Sequence, residues 1–194
     1  AIQRNQPISQ PPRLYRHQLA SHRRPTGLYN AMVHPLVPFA IKGAIWYQGE
    51  ANVGEGMLYR DRMEALIRGW RAVWQTDLAF LYVQLAPYRY NRRVGALPEL
   101  WESQQAALGI PNTGMAVTMD IGNVSDIHPR NKQDVGKRLA LWALATTYGK
   151  ENLVYSGPLY RDMSLDGDRI RIRFDHTGSG LTTQDGEPPT WFTV

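Results

Sequence analysis

Ile41-Lys42-Gly43-Ala44-Ile45-Trp46-Tyr47 lies between Pro38 and Gly49 and is short, β-branched and aromatic, the composition of a buried strand. The residues after it decide the fold. Tyr59, Met63, Leu66, Ile67, Trp70 and Trp74 recur at three- and four-residue steps, which predicts an amphipathic helix from about Met57 to Trp74 with Arg60, Arg62 and Arg68 outward. Ala79 to Leu85 reads as a second strand, Pro98 as the first position of a helix closed by Gly109, and Gly114 to Met119 as a third strand. After a polar loop from Asp120 to Arg130, Val135, Leu139, Trp142, Leu144, Ala145 and Tyr148 mark a third helix ended by Gly149. Strand and helix alternate throughout. That order predicts an α/β fold, a three-layer sandwich with helices on both faces of a mostly parallel sheet and functional residues on loops leaving the carboxyl ends of strands.

Outside this core the pattern changes at both ends. Residues 1–25 place Pro7, Pro11, Pro12 and Pro25 among Gln and Arg without periodicity and read as a lead-in or linker. Residues 26–150 form the α/β part. Residues 151–194 start a β-rich segment, because Leu159 to Leu165 and Ile170 to Phe174 alternate on either side of Asp166-Gly167, a hairpin signal. Two strands do not make a stable sheet alone, so the segment is expected to be truncated or to pair with elements elsewhere.

Composition narrows the function. With 43% hydrophobic and 20% charged residues, the 194-residue chain can bury enough apolar surface to fold. The net charge of +5 comes largely from scattered arginines, a solvated surface rather than a nucleic-acid stripe. Having no cysteine, the chain excludes disulfides, cysteine zinc sites and thiol nucleophiles. No apolar run approaches the roughly 20 residues that span a bilayer, so no membrane partner is expected. The chain starts at Ala1 without a basic-then-apolar opening, and no secretion signal is visible. Neither a His-Glu-x-x-His spacing nor a phosphate-cradling glycine motif occurs, and no metal or cofactor is expected.

Two loops concentrate polar groups where such a sheet keeps its site. In Gln48-Gly49-Glu50-Ala51-Asn52, the Gln48 and Asn52 amides can donate N–H to a developing oxyanion without adding charge, Gly49 allows close backbone approach, and Glu50 could orient them. An ordinary polar turn after a strand would look the same. In Ser125-Asp126-Ile127-His128-Pro129, a histidine beside a carboxylate has the parts of a general base steadied by an acid. Asp126 is the near acid; Asp120 at the strand end could reach the same ring. A surface or helix-capping histidine fits that spacing too. His17, His22, His34 and His176 read as structural, and the Trp70, Trp74 and Trp101 rings as core.

Several segments carry a resemblance. They are Leu28-Tyr29-Asn30-Ala31-Met32 with Pro35-Leu36, Ile41 to Asn52, Val83-Gln84-Leu85-Ala86, Trp101-Glu102-Ser103-Gln104, Asp126-Ile127-His128-Pro129 leading to Lys132, and Phe174-Asp175-His176 with Gly180-Leu181. In this order, from about Thr26 to Leu181, they resemble the sialate O-acetylesterase family of carbohydrate esterases, within the SGNH hydrolase group. The resemblance implies an SGNH or flavodoxin-like sandwich and removal of O-acetyl groups from sialic acid or another acetylated carbohydrate. It implies no cofactor, and its role in glycan breakdown points to a secreted or periplasmic parent. In that family a serine attacks the acetyl carbonyl, a histidine takes its proton, an acid positions the histidine, and N–H donors hold the oxyanion. Carried over, His128 is the base, Asp126 its partner, and Gln48 the amide donor, with Asn52 the alternative.

Two departures accompany the match. The family's nucleophile lies in an early Gly-Gln-Ser-Asn-Met segment, which this chain lacks, and no Gly-x-Ser-x-Gly occurs either. The wider group also sets the acid three residues before the histidine, where Ser125 stands. Ser103 falls on a helix, Ser125 abuts the histidine, Ser156, Ser164 and Ser179 belong to the β-rich end, and Ser9 and Ser21 to the lead-in. The expectation is therefore the C-terminal part of an esterase domain, inactive alone, whose partner is the N-terminal part of the same domain. The competing reading is a non-catalytic carbohydrate- or protein-binding module on an esterase fold.

Overall fold

The computed structural model describes residues 25–37, 39–90, 93–183 and 185–188. The lead-in expected over residues 1–25 therefore lies outside the described residues except for Pro25. The chain divides into two units, Ala1–Ala40 and Ile41–Val194. In the first, Tyr29–Val33 forms a π-helical turn and His34–Leu36 a 3-10 turn, with the His34 ring edge-on to Tyr29 at 5.9 Å.

The second unit is built on three parallel strands. They are β1 (Gly43–Trp46), β2 (Ala79–Val83) and β3 (Thr113–Ala116), in the order β1-β2-β3, with Ala44 opposite Phe80 and Leu81 opposite Gly114. Every residue of β2 is buried. A centre strand covered on both faces has no polar side to alternate with, which is why Ala79 to Val83 reads as one apolar run.

Three helices make the outer layers: α1 (Leu58–Trp74), α2 (Ala96–Ala106) and α3 (Lys132–Trp142). Tyr59, Met63 and Ile67 of α1 and Leu100 of α2 pack with Phe80, Tyr82 and Met115. Val135, Leu139 and Trp142 of α3 pack with Leu81, Val83 and Ala116 on the opposite face. Successive β2 side chains point to opposite faces, so one strand feeds both cores. Ile67 and Leu100 are wholly inaccessible to solvent, and burying each contributes about 1.5–3 kcal/mol. Gly114 lets α3 close down, since a Cβ there would sit 2.6 Å from the Trp142 ring.

The expected elements are present with shifted ends. Helix α2 opens at Ala96 rather than Pro98, because Gly95 takes φ 87° at its N-cap. Pro98 falls inside the first turn, where its missing N–H costs nothing. A 3-10 turn, Ala107–Gly109, follows α2, while α3 runs into a π-helical turn, Ala143–Thr147, before Gly149 turns left-handed at φ 66°.

Beyond this sandwich, β4 (Leu159–Asp166) and β5 (Arg169–Asp175) form an antiparallel hairpin. Asp166 pairs with Arg169, so its two-residue loop is Gly167-Asp168, one position later than Asp166-Gly167. Gly167, at φ 63°, sits where the turn needs a left-handed residue. Met163 and Leu165 lie opposite Ile172 and Ile170 on one exposed face, while on the other Arg171 pairs with Asp166 and Arg173 with Asp162.

Candidate functional site

The loop leaving β1 is bound tightly to α1. The Tyr59 hydroxyl donates to the Gln48 carbonyl at 2.8 Å, and the Gly49 N–H donates to Glu50 Oε2 at 2.9 Å. Gly49 has φ 150° and ψ 0°, a conformation for which side-chain-bearing residues are poorly suited, and a Cβ there would come 2.9 Å from Tyr59 Oη. The Gln48 side chain is exposed and has no hydrogen-bond partner among the described residues. Asn52 differs, because its Nδ2 donates to Glu55 at 3.0 Å and Glu55 also pairs with Arg62 at 2.8 Å. Of the two candidate amide donors, Gln48 is the uncommitted one.

The loop leaving β3 carries His128, which is exposed. The Asp126 carboxylate accepts the His128 backbone N–H at 2.9 Å, and Asp126 N–H donates to the Asn123 carbonyl at 3.0 Å. Asp126 thus closes a turn around the histidine. Asp120 faces elsewhere, meeting Arg138 through two bonds of 2.7 and 2.6 Å. That guanidinium holds the Asp120 carboxyl below its usual range, against a smaller opposing effect of burial. Arg138 also donates to the Val117 carbonyl at 2.6 Å, so the start of the loop is tied to α3. Among the described residues, neither carboxylate bonds the imidazole. The helix cap is Asn131, whose side chain accepts the Asp134 N–H at 3.1 Å, so His128 does not cap α3.

The loop after β2 is held against the β3 loop. Thr118 Oγ1 donates to the Gln84 carbonyl at 2.8 Å and the Arg89 N–H to the Val124 carbonyl at 3.0 Å. Gly122 lies against Pro87, where a Cβ would come within 2.5 Å. Lys132 places its ammonium 4.5 Å from the centre of the Tyr47 ring, joining the start of α3 to the end of β1. Tyr90 is pushed up to about 12 by burial, with Glu50, Tyr47 and Tyr88 adding negative potential.

The carboxyl edge of the sheet therefore carries Gln48 and Glu50 on the β1 loop, Tyr90 on the β2 loop, and Asp126 and His128 on the β3 loop. Periodicity missed several of the groups that hold it. Tyr59 reads as a core position, which it is, but a buried phenol needs a partner for its hydroxyl. Gln104 is buried at 1% exposure, accepts the Leu85 N–H at 3.0 Å and donates to the Val83 carbonyl at 3.2 Å, so it continues the end of β2 as a strand would. A glutamine at a core-facing helical position was the available signal.

Chemically, the edge presents one imidazole, on His128, and one amide, on Gln48, whose side chains have no hydrogen-bond partner among the described residues. No described serine bonds His128. Ser103 Oγ is buried in α2 without a partner, and Ser156 Oγ donates to the Gly157 carbonyl at 2.9 Å. Among the described residues, no group of three His, Asp or Glu side chains could hold a metal ion, and no helix is long and apolar enough to cross a membrane.

Comparison with known proteins agrees on one family. The family model described as carbohydrate esterase, sialic acid-specific acetylesterase matches residues 17–145. A sialate O-acetylesterase from Rattus norvegicus is 40% identical over 158 aligned residues, covering 71% of this chain and 29% of the relative. The Homo sapiens sialate O-acetylesterase is 38% identical over 158 aligned residues, covering 71% and 30%. The chain thus spans about three-tenths of these relatives' length. Among solved structures, a carbohydrate acetylesterase from Xanthomonas citri superimposes with a TM-score of 0.79 at 47% identity, covering 85% of this chain and 39% of that one.

Proposed function

The chain belongs to the sialic acid-specific acetylesterase family of carbohydrate esterases, and from that premise we propose that it supplies the base and one oxyanion donor for removing O-acetyl groups from sialic acid or another acetylated sugar. The observation that carries this is the placement of an uncommitted Gln48 amide and an exposed His128 on loops that leave the carboxyl ends of β1 and β3 in one parallel sheet. The nucleophile is a serine on polypeptide outside these 194 residues.

In the reaction, His128 takes the serine proton as the hydroxyl attacks the acetyl carbonyl, then returns it to the departing sugar alkoxide. Water repeats the attack on the acyl-enzyme and releases acetate. The Gln48 N–H meets the oxygen that becomes negative in each tetrahedral intermediate. Asp126 acts first on the backbone, fixing the turn from which the imidazole projects. Asp120, neutralised by Arg138, is less suited to steadying an imidazolium, which leaves Asp126 as the assigned acid.

The test is hydrolysis of an aryl acetate by the full-length protein. His128→Ala should abolish nearly all turnover, and Gln48→Ala should lower kcat roughly 100-fold, the scale of one lost oxyanion donor. The 194-residue chain alone should show no His128-dependent turnover, and clear turnover there would contradict the external serine. A full-length protein indifferent to His128→Ala would favour a module that binds acylated carbohydrate without cleaving it.

A further inference from the structure

One peptide group in the β1 loop is gripped at both ends by side chains. Its carbonyl, on Gln48, accepts the Tyr59 hydroxyl at 2.8 Å, and its N–H, on Gly49, donates to Glu50 Oε2 at 2.9 Å. The grips come from different elements, Tyr59 from the first turn of α1 and Glu50 from the loop itself. Rotating the peptide would break both bonds at once. Gly49 lies flat on the phenol, with room for no Cβ.

Tyr59 is built to hold this position. It is 3% exposed, and burial pushes its phenol up, opposed by the Trp46 indole and the Gln104 side chain, with Glu50 adding to the rise. It stays a protonated donor through the neutral range. Tyr59 also packs in one core with Phe80 and Tyr82 of β2, so the loop is referenced to the centre strand. An exposed turn after a strand can satisfy its backbone with water and needs no such anchoring. Here the anchored peptide belongs to the residue whose side chain is left free.

We infer that Tyr59 and Glu50 are positioning residues that lock the Gln48–Gly49 peptide and so fix the direction in which the Gln48 amide meets the reacting carbonyl oxygen. This rests on Gln48 being the oxyanion donor. A locked donor costs no reorganisation when charge develops, which is where such groups draw their strength.

The experiment measures kcat and KM for an aryl acetate in the full-length protein. Tyr59→Phe keeps the ring and removes the donor, and should lower kcat about five-fold with KM unchanged, the scale of one hydrogen bond. Glu50→Ala should do the same, while Glu50→Gln, which retains an acceptor oxygen, should recover most of the loss. In a Gln48→Ala background, Tyr59→Phe should change kcat by less than about 1.5-fold, because the group it aims is gone. An equal loss in both backgrounds would make Tyr59 a general stabiliser and overturn the proposal. So would an unchanged kcat in Tyr59→Phe where Gln48→Ala has lost activity, and that result leaves the oxyanion reading intact. Unchanged activity in Gln48→Ala overturns that reading and the positioning role with it. If Tyr59→Phe does not fold, the Glu50 pair run in both backgrounds decides the question by the same criteria.

Discussion

Replacing Gly49 with alanine asks how rigidly the β1 loop is held. The backbone at φ 150° and ψ 0° is poorly accessible to alanine, and forcing a residue with a Cβ into such a region costs about 1–3 kcal/mol. The new methyl would also lie 2.9 Å from Tyr59 Oη, closer than a real Cβ tolerates, and 3.2 Å from Cζ, tighter than most Cβ contacts. Relieving that contact moves the hydroxyl off the Gln48 carbonyl, which adds about 1 kcal/mol for the lost hydrogen bond. The sum is about 2–4 kcal/mol, or a melting point lower by roughly 5–15 °C for a chain of this size. Gly54→Ala separates the two contributions, since Gly54 also has a positive φ, 103°, but a Cβ there meets nothing within 4 Å. It should lose only the conformational part. Urea unfolding followed by tryptophan fluorescence reads both variants. If Gly49→Ala cost no more than Gly54→Ala, the close contact with Tyr59 would not constrain the loop, and the reasoning about the locked peptide would fail with it.

Two further outcomes concern pH. Tyr59, Tyr82 and Tyr90 all have raised pKa values, chiefly from burial, Tyr90 to about 12. A group whose folded pKa lies above its unfolded value of 10.0 adds stability that is full below that value and is lost as pH rises through the folded one. Phenolate absorbance should therefore show a lagging fraction beyond the main step, and unfolding should become easier above pH 10; all tyrosines ionising together in the folded protein would contradict this. At the other end, Asp120 is depressed below 3.8 by Arg138, so its contribution is present above that value and fades as pH falls through the lower folded one. Arg138→Gln should flatten this part of the urea midpoint's acid dependence between about pH 5 and pH 2; an unchanged acid limb would show that the pair does not bear on stability.

The elements were legible because burial writes a period into the chain. Helix α1 shows it best, with Tyr59, Met63 and Ile67 inward and its arginines outward, and β2 shows the opposite limit of a strand apolar throughout. Ends were less legible. Pro98 is a good helix opener, yet Gly95 opens α2, because only the three-dimensional turn reveals which residue must be left-handed. The hairpin slipped by one position for the same reason: Asp166-Gly167 is a strong turn signal in isolation, but cross-strand pairing puts Gly167 first in the loop. At the site, Gln48 and His128 stood out by residue type and placement. Their supports did not, since a tyrosine whose hydroxyl reaches back eleven residues and a glutamine that completes a strand end both look like core from periodicity alone. The separation of Asp126 from Asp120 likewise needed coordinates, because only there does Arg138 claim one of them.

The full burial of β2 bears on how such a site can diverge. With parallel neighbours on both edges and helices over both faces, this strand has little freedom to shift, and the loop after Val83 starts from an origin that substitutions elsewhere barely move. The exposed Arg89 can then change its side chain while its backbone, bonded to the Val124 carbonyl, keeps its place beside the β3 loop. Such a substitution changes the surface of the edge without renegotiating the frame that holds Gln48 and His128.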